Sequence, residues 1–244
     1  MRTILLNIEY DGTAYAGWQI QPNILAVQEV VESALTQILG QEVRIHSSGR
    51  TDAGVHARSM MVHFQTESNI PLQAFREGVN GFLPVDIAIR EAREMPEGFH
   101  ARYSAKGKWY RYTIYNNDVR SPLAARTSWH LRGSLDLDMM RTAAESLVGK
   151  HDFQAFRSSG CVAKTSVREI FQVDVFADQE FVYIDIKGSG FLRNMVRIIA
   201  GTLVEVGQGR RPASDLPELL RLESRLSCGP TAPAHGLCLQ EVWY

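Results

Sequence analysis

One succession constrains this chain more than any other feature, because it occurs twice. A strand-like alternation is followed by a helical stripe, two more alternating runs, a second helical stretch and a closing strand. Residues 3–10, TILLNIEY, put Ile4, Leu6 and Ile8 on one side of a strand. Over 25–39, Val27, Val30, Val31, Ala34, Leu35 and Ile38 step by three and one, the spacing of an amphipathic helix, with Gly40 placed to cap its end. EVRIHSS and SMMVHFQT read as strands, Pro71 suits the first turn of a helix reaching about Phe82, and DIAIREARE reads as a further strand. This β-α-β-β-α-β order is the ferredoxin-like unit.

The second half repeats the order. KWYRYTIY is a strand, 137–148 a helix ending at Gly149, and VREIFQVDVFA with EFVYIDIKG a hairpin. Over 191–206, Leu192, Met195, Val196, Ile199 and Leu203 form one helical stripe, and LCLQEVWY closes with a strand. The irregular MPEGFHARYSAKG marks a boundary near 95–107, so two α+β units are expected, 1–106 and 107–244.

Composition excludes several classes. At 244 residues the chain is long enough for one large domain or two small ones with a real core. A net charge of −1 with pI about 6.7 does not announce a nucleic-acid binder, though a net charge hides local cationic faces. Cys161, Cys228 and Cys238 are odd in number and lack C-x-x-C spacing, which fits reduced thiols in a cytosolic protein. The opening MRTILLNIEYDG turns acidic after a short apolar run, so no signal peptide is expected. No stretch approaches the ~20 apolar residues of a membrane span. The histidines form no H-E-x-x-H, and neither a P-loop nor a G-x-G-x-x-G is present. His46, His56 and His63 read as surface or core histidines, and the acids of DLD at 136–138 as helix caps.

Three segments carry candidate chemistry. SSGRTDAGVHAR holds one carboxylate, Asp52, between Gly49 and Gly54, with Arg44, Arg50, His56 and Arg58 around it in sequence. Ordinary turn chemistry explains T-D-A-G. A turn aspartate needs no arginine, however, and a nearby guanidinium favours the ionised carboxylate, suited to nucleophilic or electrostatic work. In ARYSAKGKWYRYTIY, Arg102, Lys106, Lys108 and Arg111 interleave with Tyr103, Trp109, Tyr110 and Tyr112. This fits RNA, with phosphates on cations and a base on a ring, and equally a half-buried strand with a charged outer face. Tyr110 and Tyr112 alternate with Trp109 and Arg111, so only one of these sets can face a cleft. In KGSGFLRNMVRIIAGTLVEVGQGRR, Arg193 and Arg197 stand four apart on the expected helix, near its N-terminus, where the helix dipole disfavours cations. Arg197 either snorkels to water or meets a carboxylate from another segment, for which Asp52 is the candidate.

These segments resemble the TruA-type tRNA pseudouridine synthases, and the likeness runs from end to end. GRTDAGVHA is similar to the family's catalytic-loop motif, EYDGTAYAGWQIQ to its opening and KWYRYTIYN to its tyrosine strand. HDFQAF, FLRNMVRIIAGTLVEVG and PAHGLCLQEV resemble its later blocks in order. One departure is AVQ at 26–28 where Thr-Val-Gln is usual; Ala26 cannot cap a helix, so Asn23 is expected to do so. The resemblance implies an α+β fold of two ferredoxin-like units joined into one mixed, mainly antiparallel sheet, with helices on one side and a catalytic cleft between the units. It implies a cytoplasmic homodimer that converts uridine to pseudouridine at positions 38, 39 and 40 of the tRNA anticodon stem-loop, with no cofactor, metal or membrane. Asp52 is then the catalytic acid, Tyr110 packs on the target base and Arg197 is the basic partner of Asp52. Leu237 forms an apolar wall, Arg50 contacts RNA or the carboxylate, and Arg58 and Lys108 contact RNA. The rival readings are a non-catalytic RNA-binding protein and a metal-dependent phosphodiesterase. The second needs clustered carboxylates or histidines.

Overall fold

The opening alternation becomes β1 (Arg2–Tyr10). The computed structural model describes residues 1–161, 163–222 and 224–244. In β1, Ile4, Leu6 and Ile8 are fully buried, and Leu5 on the opposite face is buried as well. β1 is also central in this part of the sheet. It runs antiparallel to β3 (His56–Thr66) on one side and to β4 (Ile87–Met95) on the other. β2 (His46–Ser47) pairs antiparallel with the outer edge of β3, giving the ferredoxin-like order β4-β1-β3-β2.

β2 is far shorter than EVRIHSS led us to expect. The backbone just before it is tied to a helix instead, since the Ile45 N–H donates to Glu32 Oε1 at 3.0 Å. That helix is α1 (Val27–Leu39), which buries Val27, Val31, Ala34 and Leu35. Gly40 ends it at φ +67°, its N–H donating to the Thr36 carbonyl at 2.9 Å, as the sequence anticipates. Its start differs from expectation. Asn23 lies outside the helix at φ +62°, and Ala26 is the N-cap with no side-chain bond. Main chain replaces the missing cap: the Val27 and Gln28 N–H groups donate to the carbonyls of Gly17 (3.2 Å) and Trp18 (3.0 Å). The stretch opened by Pro71 is helical over 72–80, with a π-helical segment at Ala74–Gly78 and Phe75 fully buried.

The second unit contains β5 (Gly107–Asn116), β6 (Trp129–Leu131), α2 (Leu137–Glu145) and β7 (Gly149–Asp152). β8 (Val167–Asp178), β9 (Phe181–Gly188), α3 (Met195–Gly207) and the short α4 (Asp215–Leu219) follow. The strand order is β5-β9-β8-β7, antiparallel throughout, with β6 added parallel to β5. The hairpin, the tyrosine strand and the capping role of Asp136, which accepts from the Met139 N–H at 3.0 Å, match the sequence reading. β6 and β7 are additions to it. α3 is buried on nearly every side, with Ile198, Ala200, Thr202 and Val204 as enclosed as the anticipated stripe. It begins at Met195 rather than 191, because Asn194 takes the left-handed conformation at φ +61°, which leaves Arg193 before the helix. Arg193 and Arg197 therefore do not share a helical face.

β10 (Leu237–Trp243) runs beside β3. The Lys106 N–H donates to the Trp243 carbonyl, and the Tyr244 hydroxyl to the Ala101 carbonyl, both at 2.9 Å. The chain divides into Met1–Lys106 with Leu239–Tyr244, and Gly107–Cys238.

Candidate active site

Asp52 sits half-buried in a turn closed by main chain: the Val55 N–H donates to the Asp52 carbonyl at 3.1 Å, with Gly54 at φ +76°. The segment from Tyr10 to Trp18 clamps this turn. The Tyr10 and Thr51 hydroxyls lie 2.8 Å apart, both buried. The Trp18 N–H reaches the Thr51 carbonyl at 3.1 Å, and the Gly54 N–H reaches the Tyr15 carbonyl at 3.3 Å. The Gly12 N–H donates to Nδ1 of buried His56 at 3.0 Å. Two backbones approach so closely that side chains would not fit. A Cβ at Gly12 would lie 2.0 Å from the Val55 oxygen, and one at Gly17 2.4 Å from the Thr51 oxygen. Tyr15 extends the brace by donating its hydroxyl to Asp86 at 2.8 Å, and burial, reinforced by that carboxylate, raises the phenol well above its ordinary value. The carboxylate-bearing loop is thus set on a fully buried Trp18 and held along its length. Such an arrangement fixes the backbone on both sides of Asp52 without any ligand.

The clamp is the part of the site that sequence reasoning left without a role. Its signal lay in EYDGTAYAGWQIQ, whose two glycines are spaced to meet the loop. Arg50 and Arg58 are exposed and form no ion pair among the described residues.

In the second unit, β5 sorts its aromatics as the alternation required. Tyr110, Tyr112 and Ile114 face inward, while Trp109 and Arg111 lie on the other face. Tyr110 is 8% exposed and meets Phe191 edge-on at 5.3 Å. Tyr112 donates to the Pro233 carbonyl at 2.8 Å, and burial raises its phenol far above the usual range. On the outer face Arg111 forms a two-point pair with Asp185, each bond 2.7 Å, ringed by Trp109, Phe176 and Tyr183. That pair is structural, so Arg111 is not the cation to offer a phosphate. Lys108, half-buried at the start of β5, is cross-strand from Gly188.

Two of the bonds that hold Arg197 run from Nε to the Ala232 carbonyl at 2.7 Å and from Nη1 to Asn194 Oδ1 at 2.9 Å. The left-handed Asn194 that delays α3 is therefore also a positioning residue for this guanidinium. The Ala232 N–H returns a bond to the Arg197 carbonyl at 3.1 Å, locking the two segments together. Leu237, 6% exposed, follows the 3-10 turn Ala234–Gly236. Among the described residues, no group of three His, Cys, Asp or Glu is arranged to hold a metal ion.

A family model described as tRNA pseudouridine synthase matches residues 7–104 and 143–244. The tRNA pseudouridine synthase A of Syntrophotalea carbinolica is 61% identical over 244 residues, covering 100% of this chain and 97% of the relative. That of Geotalea uraniireducens is 57% identical over 244 residues, covering 100% of both. An archaeal box H/ACA Nop10-Cbf5 complex resembles it only distantly, at 12% identity and a TM-score of 0.37 over 82% of this chain and 43% of that one. With a family model spanning most of its length and full-length relatives at well over half identity, the chain belongs to the tRNA pseudouridine synthase family.

Proposed function

We propose that this chain is an isomerase that converts uridine to pseudouridine in tRNA, at positions 38, 39 and 40 of the anticodon stem-loop, with Asp52 as its catalytic group. The clamped loop is the observation that carries this reading: a turn meant only to reverse the chain needs neither Gly12 and Gly17 pressed against its backbone nor a buried Tyr10–Thr51 bond beneath it.

The reaction breaks the N1–C1′ bond, rotates the uracil and joins C5 to C1′, so no electrons are exchanged overall and water is not consumed. The ionised carboxylate of Asp52 acts as the glycosidic bond weakens and positive charge grows on the ribose. It attacks C1′, adds to C6 or takes the C2′ proton. Arg197, held by Ala232 and Asn194, supplies the compensating charge. Tyr110 and Leu237 confine the detached uracil, and the C5 proton leaves through Tyr110 or a water it orders. Arg50, Arg58 and Lys108 contact the RNA backbone, which offsets the few kcal/mol needed to unstack the target base. The enzyme works as a cytoplasmic homodimer without metal or cofactor.

Tritium release from tRNA labelled at uridine C5 tests this. The wild-type chain releases label in the presence of a strong chelator, and Asp52→Ala does not. Release by Asp52→Ala at the wild-type rate overturns the assignment, and tRNA binding without any release leaves only an RNA-binding protein.

A further inference from the structure

A second surface in the first unit shares no residue with the Asp52 clamp. A half-open cavity of about 380 Å³ is lined by Arg44, His46, His63 and His100, with Phe64 and Gln65 behind them. The three imidazoles form a cluster, with ring centroids 4.6 Å apart for His63–His100, 5.3 Å for His46–His63 and 5.8 Å for His46–His100. At the rim, His100 meets the ring of Tyr103 at 4.3 Å. Tyr103 is 77% exposed, with the Arg102 guanidinium 5.8 Å from its centroid.

The protonation of the cluster follows from its bonds. Nδ1 of His100 accepts the Arg102 N–H at 3.1 Å and the Tyr103 N–H at 3.4 Å, so the ring hydrogen resides on Nε2. Burial, and then the neighbouring imidazole, lowers the pKa of both His63 and His100. Arg44, which shares its guanidinium with Glu32 at 3.3 Å, and Arg102 bring positive charge to the cavity. An exposed aromatic face, a guanidinium over it and an imidazole N–H beside a nucleotide-sized cavity together form a stacking platform with an anion rim.

We propose that this surface is a nucleotide subsite for tRNA, in which an unstacked base lies on Tyr103 and its phosphate meets Arg44 and His100. The proposal rests on the reading of tRNA as substrate. It also bears on the cation–aromatic run of the sequence: Tyr112 and Arg111 are committed to packing or pairing, whereas Arg102, Tyr103 and Lys106 are exposed.

The test uses the full chain and an unmodified tRNA transcript. Tyr103→Ala should weaken binding by about 5- to 150-fold, the range for loss of one stacked base, with KM rising in parallel. Tyr103→Phe, which keeps the ring, should restore wild-type affinity. Arg44→Ala should reduce the slope of log affinity against log salt by about one unit. Wild-type Kd and KM in Tyr103→Ala overturns the subsite, as does equal weakening in the Ala and Phe variants. A wild-type protein that binds tRNA but forms no pseudouridine sinks the proposed function instead, so the two failures are distinguishable.

Discussion

Gly17 tests the clamp most sharply. Its φ is +95°, and an added Cβ would sit 2.4 Å from the Thr51 oxygen, 3.0 Å from the Asp52 carbonyl carbon and 3.1 Å from the Ala53 nitrogen. Cβ contacts under 3.0 Å are essentially never seen, so the gap must open by at least 0.6 Å. All three atoms are main chain, so no side chain can swing aside. The Gly17 side is anchored, because its carbonyl caps α1 through the Val27 N–H and the adjacent Trp18 is buried. The displacement therefore falls on the loop that carries Asp52. A shift of that size at a reacting group costs about 10- to 100-fold in rate. We expect Gly17→Ala to lower the single-turnover rate of tritium release by that factor while tRNA affinity stays within about twofold. Strain from the left-handed backbone lowers Tm independently, by about 1–2 kcal/mol of stability. Gly40→Ala separates the two effects: its φ is +67° but nothing lies within 4 Å of the added Cβ. It should lose comparable stability and keep its rate. A Gly17→Ala enzyme that melts early yet turns over like wild type would refute the claim that the clamp sets the position of Asp52.

Burial, with His100 and His46 alongside, lowers His63 from 6.5 to about 4, so the unfolded chain takes up this proton at a higher pH than the folded one. The stabilisation is complete above pH 6.5 and is lost as pH falls toward 4, about 3 kcal/mol in all; urea midpoints of wild type and His63→Asn should diverge in that window and run parallel above it. Arg111→Met leaves Asp185, whose side chain is 8% exposed, without its partner, and should cost about 3 kcal/mol in urea unfolding. Arg111→Met with Asp185→Leu should recover most of that loss, and an equal loss in the double variant would show the pair to be irrelevant.

What could be read from the sequence divides along a physical line. The period of an element belongs to the segment itself, so β1, α1, β5 and the β8–β9 hairpin were legible, as were Gly40 as a cap and the division of Tyr110 and Tyr112 from Trp109 and Arg111. Failures occurred where a distant partner decides. Glu32 takes the Ile45 N–H and leaves β2 two residues long, while Gly17 and Trp18 carbonyls do the capping expected of Asn23. Asn194, at φ +61°, delays α3 and turns its side chain to Arg197, a pairing that no helical period announces. The candidate site shows the same division. GRTDAGVHA is contiguous, so Asp52 stood out as soon as the motif was read. The reason Gly12 and Gly17 must be glycine lies some forty residues away, in the backbone of 51–55, and nothing local at 10–18 states it. The carboxylate's identity is a property of one segment and its position a property of two, which is why substitution at Gly17, far from Asp52 in sequence, is the experiment that separates having the proposed catalytic group from holding it in place.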